Sequence, residues 1–383
     1  MQFIPMLSVL EKTGERKYAQ GAFNVTSRQQ VESVLKVHDA LRSPAIIQVG
    51  NIALGYLGDA VDMNKSSLDE RKRGAANIVA IVKKYGELCD IPVALHADHV
   101  KDLETIKILI ESGFTSVMID GSSLGFDANV EITREVVKLA HARGVTVEGE
   151  LGVLSGMEDD VFSESSSYTN PMDVVNFVKK TGVDCLALAY GTMHGVKKGK
   201  NIKLRKEIVI ASMENMKHER VKAILVSHGS STVPPYVLDD FNTLGGALGD
   251  AGGIPIDQLK EIISCGIGKI NIDTDLRLCI ARNIREYLSV PKNAQDPLCA
   301  SVWEKMKGAP ADIDFRTFLT PIKKNLINPS APVDKAALGL LSCMDKGITE
   351  IVSTLVVQFG SVGYANRIEK LTLEERAALY KKA

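Results

Sequence analysis

Cysteine, aromatic residues and net charge are all in short supply in this chain of 383 residues. The six cysteines, Cys89, Cys185, Cys265, Cys279, Cys299 and Cys343, show no C-x-x-C spacing and mostly sit in apolar surroundings. That argues against a zinc knuckle or a disulfide frame and favours reduced core thiols. None has a recognisable base nearby, so no catalytic cysteine is expected. A formal net charge of -1, with no basic arm or acidic tail, gives no electrostatic support for binding nucleic acid or an anionic membrane. No apolar run approaches the ~18 residues of a membrane helix, and Met1-Gln-Phe-Ile-Pro5 lacks the charged-then-apolar layout of a secretory signal. The expectation is a soluble, cytoplasmic protein whose partner is a small molecule or another copy of itself.

What the chain does have is a repeated alternation. Eight short apolar runs end in polar or glycine residues and are followed by longer segments with helical spacing: 20–25, 45–50, 93–99, 116–121, 146–152, 185–191, 223–229 and 269–274. Amphipathic helices are predicted over 27–41, 102–112, 128–142, 172–181 and 255–265, with Ser27 and Asp102 as N-caps and Gly144 and Gly182 closing helices. This pattern predicts an α/β fold, a closed (β/α)8 TIM barrel ahead of an open doubly wound sheet. The barrel core is expected over 1–288, with a helical C-terminal extension over 289–383 in the same domain. Within the extension, helices are predicted over 334–359 and 372–382, with an Asn/Pro/Ser-rich loop over 326–332.

In such a barrel the chemistry gathers at the C-terminal ends of the strands. Asn24, Gln48, His96, Asp98, His99, Asp120, Glu148, Glu150, His194, His228, Asn271, Asp273 and Asp275 all lie at or just beyond the ends of their runs. The run Val93-Ala-Leu-His-Ala-Asp-His99 shows why this matters, because burying unpaired polar groups costs roughly 2–7 kcal/mol each. Taken alone it reads equally as a hydrogen-bonded cluster or a metal site. His38, His141 and His218 fall in or at the edges of helices and read as surface or interhelical residues.

His99, His194 and His228 close three different strands, the third, sixth and seventh. Three imidazoles with a coordination position left open suit catalytic zinc, although cobalt, iron or nickel would accept the same set. Two glycine-containing turns flank them, Tyr190-Gly-Thr-Met-His-Gly195 with Lys197 and Lys198 beyond, and Ser227-His-Gly-Ser-Ser231. They read either as tight loops or as a phosphate cradle of backbone N–H groups and hydroxyls. Asn271-Ile-Asp-Thr-Asp275 and Arg277 add further hydroxyl- and phosphate-binding capacity.

Taken together, His96-Ala-Asp-His99, Glu148-Gly-Glu-Leu-Gly152, Gly191-Thr-Met-His-Gly195, His228-Gly-Ser-Ser231 and Lys269-Ile-Asn-Ile-Asp-Thr-Asp275 resemble the class II, zinc-dependent fructose-bisphosphate aldolases. The resemblance runs from Gly21-Ala-Phe-Asn-Val25 through the barrel and resumes at Phe359-Gly-Ser-Val-Gly363. It implies retro-aldol cleavage of a ketose bisphosphate, with zinc on His99, His194 and His228 and with Glu150 and Asp120 as supporting or alternate metal positions. A monovalent cation is left open. It further implies Asp98 as the acid/base at the C4 hydroxyl and Glu158 as the carboxylate exchanging a proton at C3. Gly195, Lys198, Gly229, Ser231 and Thr274 would hold the C1 phosphate, and Asn24, Asn271 and Asp273 the sugar. Arg277 and Arg316, the latter in Asp314-Phe-Arg-Thr-Phe-Leu-Thr-Pro321, would take the second phosphate.

The family pattern is broken at Gly50, where serine is usual, and by extra length before Asp314 and around 326–344. A homodimer or homotetramer is expected, acting in glycolysis and gluconeogenesis. The nearest alternative substrate is tagatose 1,6-bisphosphate. A metal-dependent pentose-phosphate epimerase is disfavoured by the paired Arg277 and Arg316, and a non-catalytic binding protein by Asp98 and Glu158.

Overall fold

Each of the eight apolar runs forms a strand in the computed structural model, which describes residues 2–154, 156–158, 161–163, 167–196 and 202–382. They are β1 (Gln20–Asn24), β2 (Ala45–Val49), β3 (Pro92–Val100), β4 (Ser116–Ile119), β5 (Thr146–Leu151), β6 (Cys185–Leu188), β7 (Ile224–Ser227) and β8 (Ile267–Ile272). Each pairs in parallel with the next, and β8 returns to β1 with Ile270 opposite Gly21, so the sheet closes on itself. Parallel strands need crossovers, and here these are mainly helices. Ser27 caps the helix Arg28–Ala40 by accepting from the Gln30 N–H, and Asp102 caps Leu103–Ser112 through the Thr105 N–H. Gly182 ends Pro171–Thr181 in the left-handed region.

Two helices of the second crossover, the short Asn51–Leu57 and the long Leu68–Gly86, are not among those the sequence pattern predicts, although Ser67 and Glu70 form a reciprocal capping box there. His38 corrects the surface reading: it is fully buried and packs edge-on against Phe23 at 5.5 Å. Burial lowers its pKa to about 4, so the ring is a neutral core group.

The N-terminal end of the barrel is closed by the short helix Met6–Leu10, whose Met6, Val9 and Leu10 pack with Ala22, Ile46, Ala94, Cys185 and Val226. The C-terminal helix Leu373–Tyr380 is fastened to that end. Tyr380 donates to Asp184 at 3.0 Å and stacks on His141 at 3.6 Å, while Arg376 binds Glu11 and Ser8 at 2.8 Å each. The helix Lys335–Gln358 lies against Arg28–Ala40 and Thr274–Ser289, and its Leu340, Met344, Ile348 and Leu355 belong to the same contiguous core as the barrel. The stretch 291–310, of mixed character in sequence, contains the helix Pro297–Gly308, and the expected loop at 326 begins only after the helix Lys323–Ile327.

Candidate active site

Side chains on a strand alternate between faces, so β3 sends Ala94, His96 and Asp98 along the barrel interior in ascending order. Apolar Ala94 meets the N-terminal plug, and polar Asp98 reaches the opposite mouth. Adjacent residues should then face apart, yet Asp98 and His99 both reach this mouth. The β3–β4 register shifts between Ala97 and Val100, and His99 has a φ of 48°. A left-handed backbone at a non-glycine residue is uncommon and concentrates at functional sites.

Asp98 is buried and accepts from three amides. Asn24 Nδ2 lies 2.9 Å from its Oδ2, Gln48 Nε2 3.3 Å from the same oxygen, and Asn271 Nδ2 3.0 Å from Oδ1. Gln48 also donates to Asn24 Oδ1, which turns the Asn24 amide nitrogen toward Asp98.

The imidazoles gather beside this carboxylate. His99 and His228 have ring centroids 4.6 Å apart, and His194 stands edge-on to His99 at 5.5 Å. His99 Nδ1 is 3.0 Å from Asp120 and 3.7 Å from Glu150; His228 Nε2 is 2.8 Å from Glu148, and its Nδ1 3.2 Å from Glu150. Burial lowers the His99 pKa, but Asp98, Asp120 and Glu150 outweigh it and hold that pKa well above the ordinary histidine value. At His228 burial is likewise overcome, by Glu148 and Glu150, and the pKa rises to about 9. Burial disfavours charge on Asp120 and Glu148, yet His99 and Ser122 keep the first, and Lys269 with the histidines the second, below the usual carboxylate range. His96 is different: burial and the Lys269 charge push its pKa well down, and its Nδ1 pairs with Ser116 at 2.8 Å.

A divalent cation fits this pocket. His99 Nε2 is buried without a hydrogen-bond partner, although buried polar atoms are rarely left so, and His228 Nδ1 faces the Glu150 carboxylate at 3.2 Å. Asp98, Asp120, Glu148 and Glu150 outnumber the one buried ammonium among them, Lys269, so the pocket carries excess negative charge. Two compact donor sets, Asp98–His99–His228 and His99–Asp120–Glu150, each bring their ligand atoms within 4.8 Å. They share His99, and they bring the expected ligands His99 and His228 together with Asp98, and His99 with Asp120 and Glu150. His194 borders the first set without being part of it.

The two glycine turns meet. Gly229 has a φ of 59°, and a Cβ there would lie 2.7 Å from the Met193 backbone. The turn after β7 is also tied to the N-terminus of Thr274–Ser289, because Asp275 accepts from the Thr232 N–H at 2.8 Å and the Val233 N–H at 2.6 Å. Gly195, Gly229, Ser231 and Thr274 thus lie on neighbouring elements, and a helix N-terminus favours an anion. Asp273 binds Arg277 at 2.8 Å, and Asp314 binds both Arg277 at 3.3 Å and Arg316 at 2.6 Å. The two predicted arginines therefore converge within one chain.

Lys198 lies outside the described residues, as does the Glu158 side chain. The backbone of Gly156–Glu158 pairs antiparallel with Val161–Ser163. Gly156 abuts the His194 carbonyl so closely that a Cβ would collide with it, which brings the hairpin's base to the metal pocket. Sequence reasoning placed Glu148 and Gln48 at strand ends without giving them tasks, and gave none to Lys269 or Asp314. A lysine within the apolar run of β8 is the signal that could have marked the buried pair, since lysine is almost never fully buried unless paired.

A closed barrel with an imidazole–carboxylate pocket at its C-terminal mouth, bordered by glycine-containing turns and a helix N-terminus, has the architecture of a metal-dependent barrel enzyme. Comparison with known proteins narrows the class. A family model described as "Fructose-bisphosphate aldolase class-II" matches residues 4–330. A fructose-bisphosphate aldolase of Giardia intestinalis is 36% identical over 388 residues, covering 99% of this chain and 100% of its own. One of Treponema pallidum is 40% identical over 295 residues, covering 73% and 84%. The crystal structure of fructose-bisphosphate aldolase from Campylobacter jejuni superimposes with a TM-score of 0.67 at 20% identity, covering 94% of this chain and 96% of that one, and so supports the fold alone. The chain belongs to the class II fructose-bisphosphate aldolase family. It is a lyase of the metal-dependent class that acts on phosphorylated ketoses.

Proposed function

We propose that the chain cleaves fructose 1,6-bisphosphate reversibly into glycerone phosphate and glyceraldehyde 3-phosphate, with zinc as its metal. The observation that carries this reading is Asp98, a buried carboxylate oriented by three amide donors beside His99 and His228. His99, His194 and His228 would hold the zinc, with Glu150 and Asp120 as supporting or alternate ligands, and the bound ion would supply a Lewis acid for the negative charge that develops next to the C2 carbonyl.

The protein's own groups do the rest. Asp98 takes the C4 hydroxyl proton as the C3–C4 bond breaks, the C4 oxygen becomes the aldehyde carbonyl, and the bonding electrons stay with the glycerone phosphate half. Glu158 then delivers a proton to C3, from a hairpin whose base rests on His194. Gly195, Lys198, Gly229, Ser231 and Thr274 receive the C1 phosphate through backbone N–H groups, hydroxyls and an ammonium. Asn24, Asn271 and Asp273 border the sugar, and Arg277 and Arg316, sharing Asp314, receive the second phosphate. That arginine pair favours a bisphosphate over the single phosphate of a pentose-phosphate epimerase substrate.

The barrel over 1–288 and the extension over 289–383 act as one domain in this reading, supported by their shared core. A cytoplasmic homodimer or homotetramer rests on the family resemblance, and no helix among the described residues is long and apolar enough to cross a membrane. Steady-state cleavage kinetics with fructose and tagatose 1,6-bisphosphates test the substrate. The expected result is a higher kcat/KM for fructose 1,6-bisphosphate; a clear preference for the tagatose epimer reassigns it.

A further inference from the structure

Below the metal pocket, in the barrel's middle layer, Lys269 of β8 is fully buried. Its ammonium lies 2.9 Å from Glu148 Oε2 and 2.8 Å from Asn271 Oδ1. From these partners two chains rise to the mouth. Glu148 Oε1 meets His228 Nε2 at 2.8 Å, and Asn271 Nδ2 donates to Asp98 Oδ1 at 3.0 Å. We propose that Lys269 is a positioning residue for both halves of the reaction, fixing the orientation of the metal-binding His228 and of the proton-carrying Asp98 from a single buried ammonium. The inference rests on the roles proposed above for those two residues.

The direction of every hydrogen bond follows from what each group can do. An ammonium only donates and a carboxylate only accepts. The Asn271 amide, lying between Lys269 and Asp98, therefore has one orientation that satisfies both ends: oxygen down to the ammonium, nitrogen up to the carboxylate. Without the ammonium the amide oxygen loses its anchor, and the side chain is free to swing its N–H group away from Asp98. On the other arm, Lys269 holds the Glu148 carboxylate in its ionised, accepting form. His228 Nε2 must then be the donor, which leaves Nδ1, 3.2 Å from Glu150, as the ring nitrogen turned toward the pocket and available to a cation. Partners of this kind around metal-binding histidines typically govern affinity or activity by about 10–100-fold.

The experiment compares Lys269→Met, Glu148→Gln and Asn271→Ala with the wild type. Zinc affinity is measured by competition with a chromogenic chelator, kcat and KM at saturating zinc, and Tm in each case. Glu148→Gln should weaken zinc with the smaller effect on kcat, and Asn271→Ala should lower kcat while zinc affinity stays native. Lys269→Met should do both, with zinc affinity and kcat each falling about 10–100-fold and KM within about twofold of wild type. A residue that only supports the fold would lower Tm and leave both readouts native, and that result in a folded Lys269→Met protein overturns the proposal.

Removing one partner of a buried pair can prevent folding, so the charge-neutral double variant Lys269→Met/Glu148→Gln is made alongside. Loss of both zinc affinity and kcat in the folded double variant supports the proposal. Native values, or failure of both variants to fold, assign Lys269 to stability and overturn it. Wild-type cleavage and zinc binding, read in the same series, report separately on the underlying function.

Discussion

The two ends of this barrel are made by the same strands and serve opposite purposes. At the N-terminal end the interior is small and apolar, with Ala22, Ile46, Ala94, Cys185 and Val226 packed on Met6, Val9 and Leu10. Two residues beyond Ala22, Ile46, Ala94 and Val226 the same strands carry Asn24, Gln48, His96 and His228, Asp98 follows two beyond His96, and on β5 and β8 Glu148 and Lys269 lie two residues before Glu150 and Asn271. Side-chain alternation, a simple consequence of strand geometry, turns position along a strand into depth within the barrel. Polarity at the mouth is costly to stability, and the network of amides, carboxylates and one ammonium offsets that cost. The plugged end carries no such burden and can anchor the C-terminal helix instead.

The division predicts sharply different responses to mutation, of which the largest effect on turnover is expected at the mouth. Asp98→Asn keeps the volume and loses the proton acceptor. Its kcat should fall about 10²–10⁴-fold while bound zinc, measured by atomic absorption, stays at the wild-type level. Loss of zinc in this variant would make Asp98 a ligand, as the compact Asp98–His99–His228 donor set also permits.

A smaller effect should come from pH. In the metal-free protein the neighbouring carboxylates outweigh burial and hold the His228 pKa at about 9, with His99 raised as well. Zinc must displace those protons, so its apparent affinity should strengthen as pH rises toward that value and weaken as pH falls. Isothermal titration in buffers of different ionisation enthalpy would count the released protons. An affinity independent of pH would show that the carboxylates do not hold these rings protonated.

The smallest effect on turnover is expected at the other end. Met6→Ala opens a cavity in the plug and should cost about 2–5 kcal/mol of stability, read as a lower midpoint in urea, with kcat and zinc affinity unchanged. A change in either would mean that the plug supports the mouth, and the two ends would no longer be separable.

Much of this contrast was legible in the chain itself. The strands announce themselves as apolar runs, and their polar last residues mark the mouth because a buried strand has no other reason to end on His96, Asp98 and His99. The residues that escaped did so for local reasons. Met6–Leu10 is a five-residue helix, too short to show a period. His38 sits in an amphipathic pattern that does not say how deep the helix packs. The irregularity that lets Asp98 and His99 share one mouth is a backbone feature with no side-chain signature. Glu148 and Lys269 are 121 positions apart, so their pairing exists only once the barrel has closed.

The central claim is that the mouth performs metal-dependent aldol cleavage. It is tested most directly by a coupled assay of fructose 1,6-bisphosphate cleavage before chelation, after removal of metal by a chelator, and after zinc is returned. The pocket described here predicts activity, its loss, and its recovery. Full activity in the metal-free protein would contradict the claim.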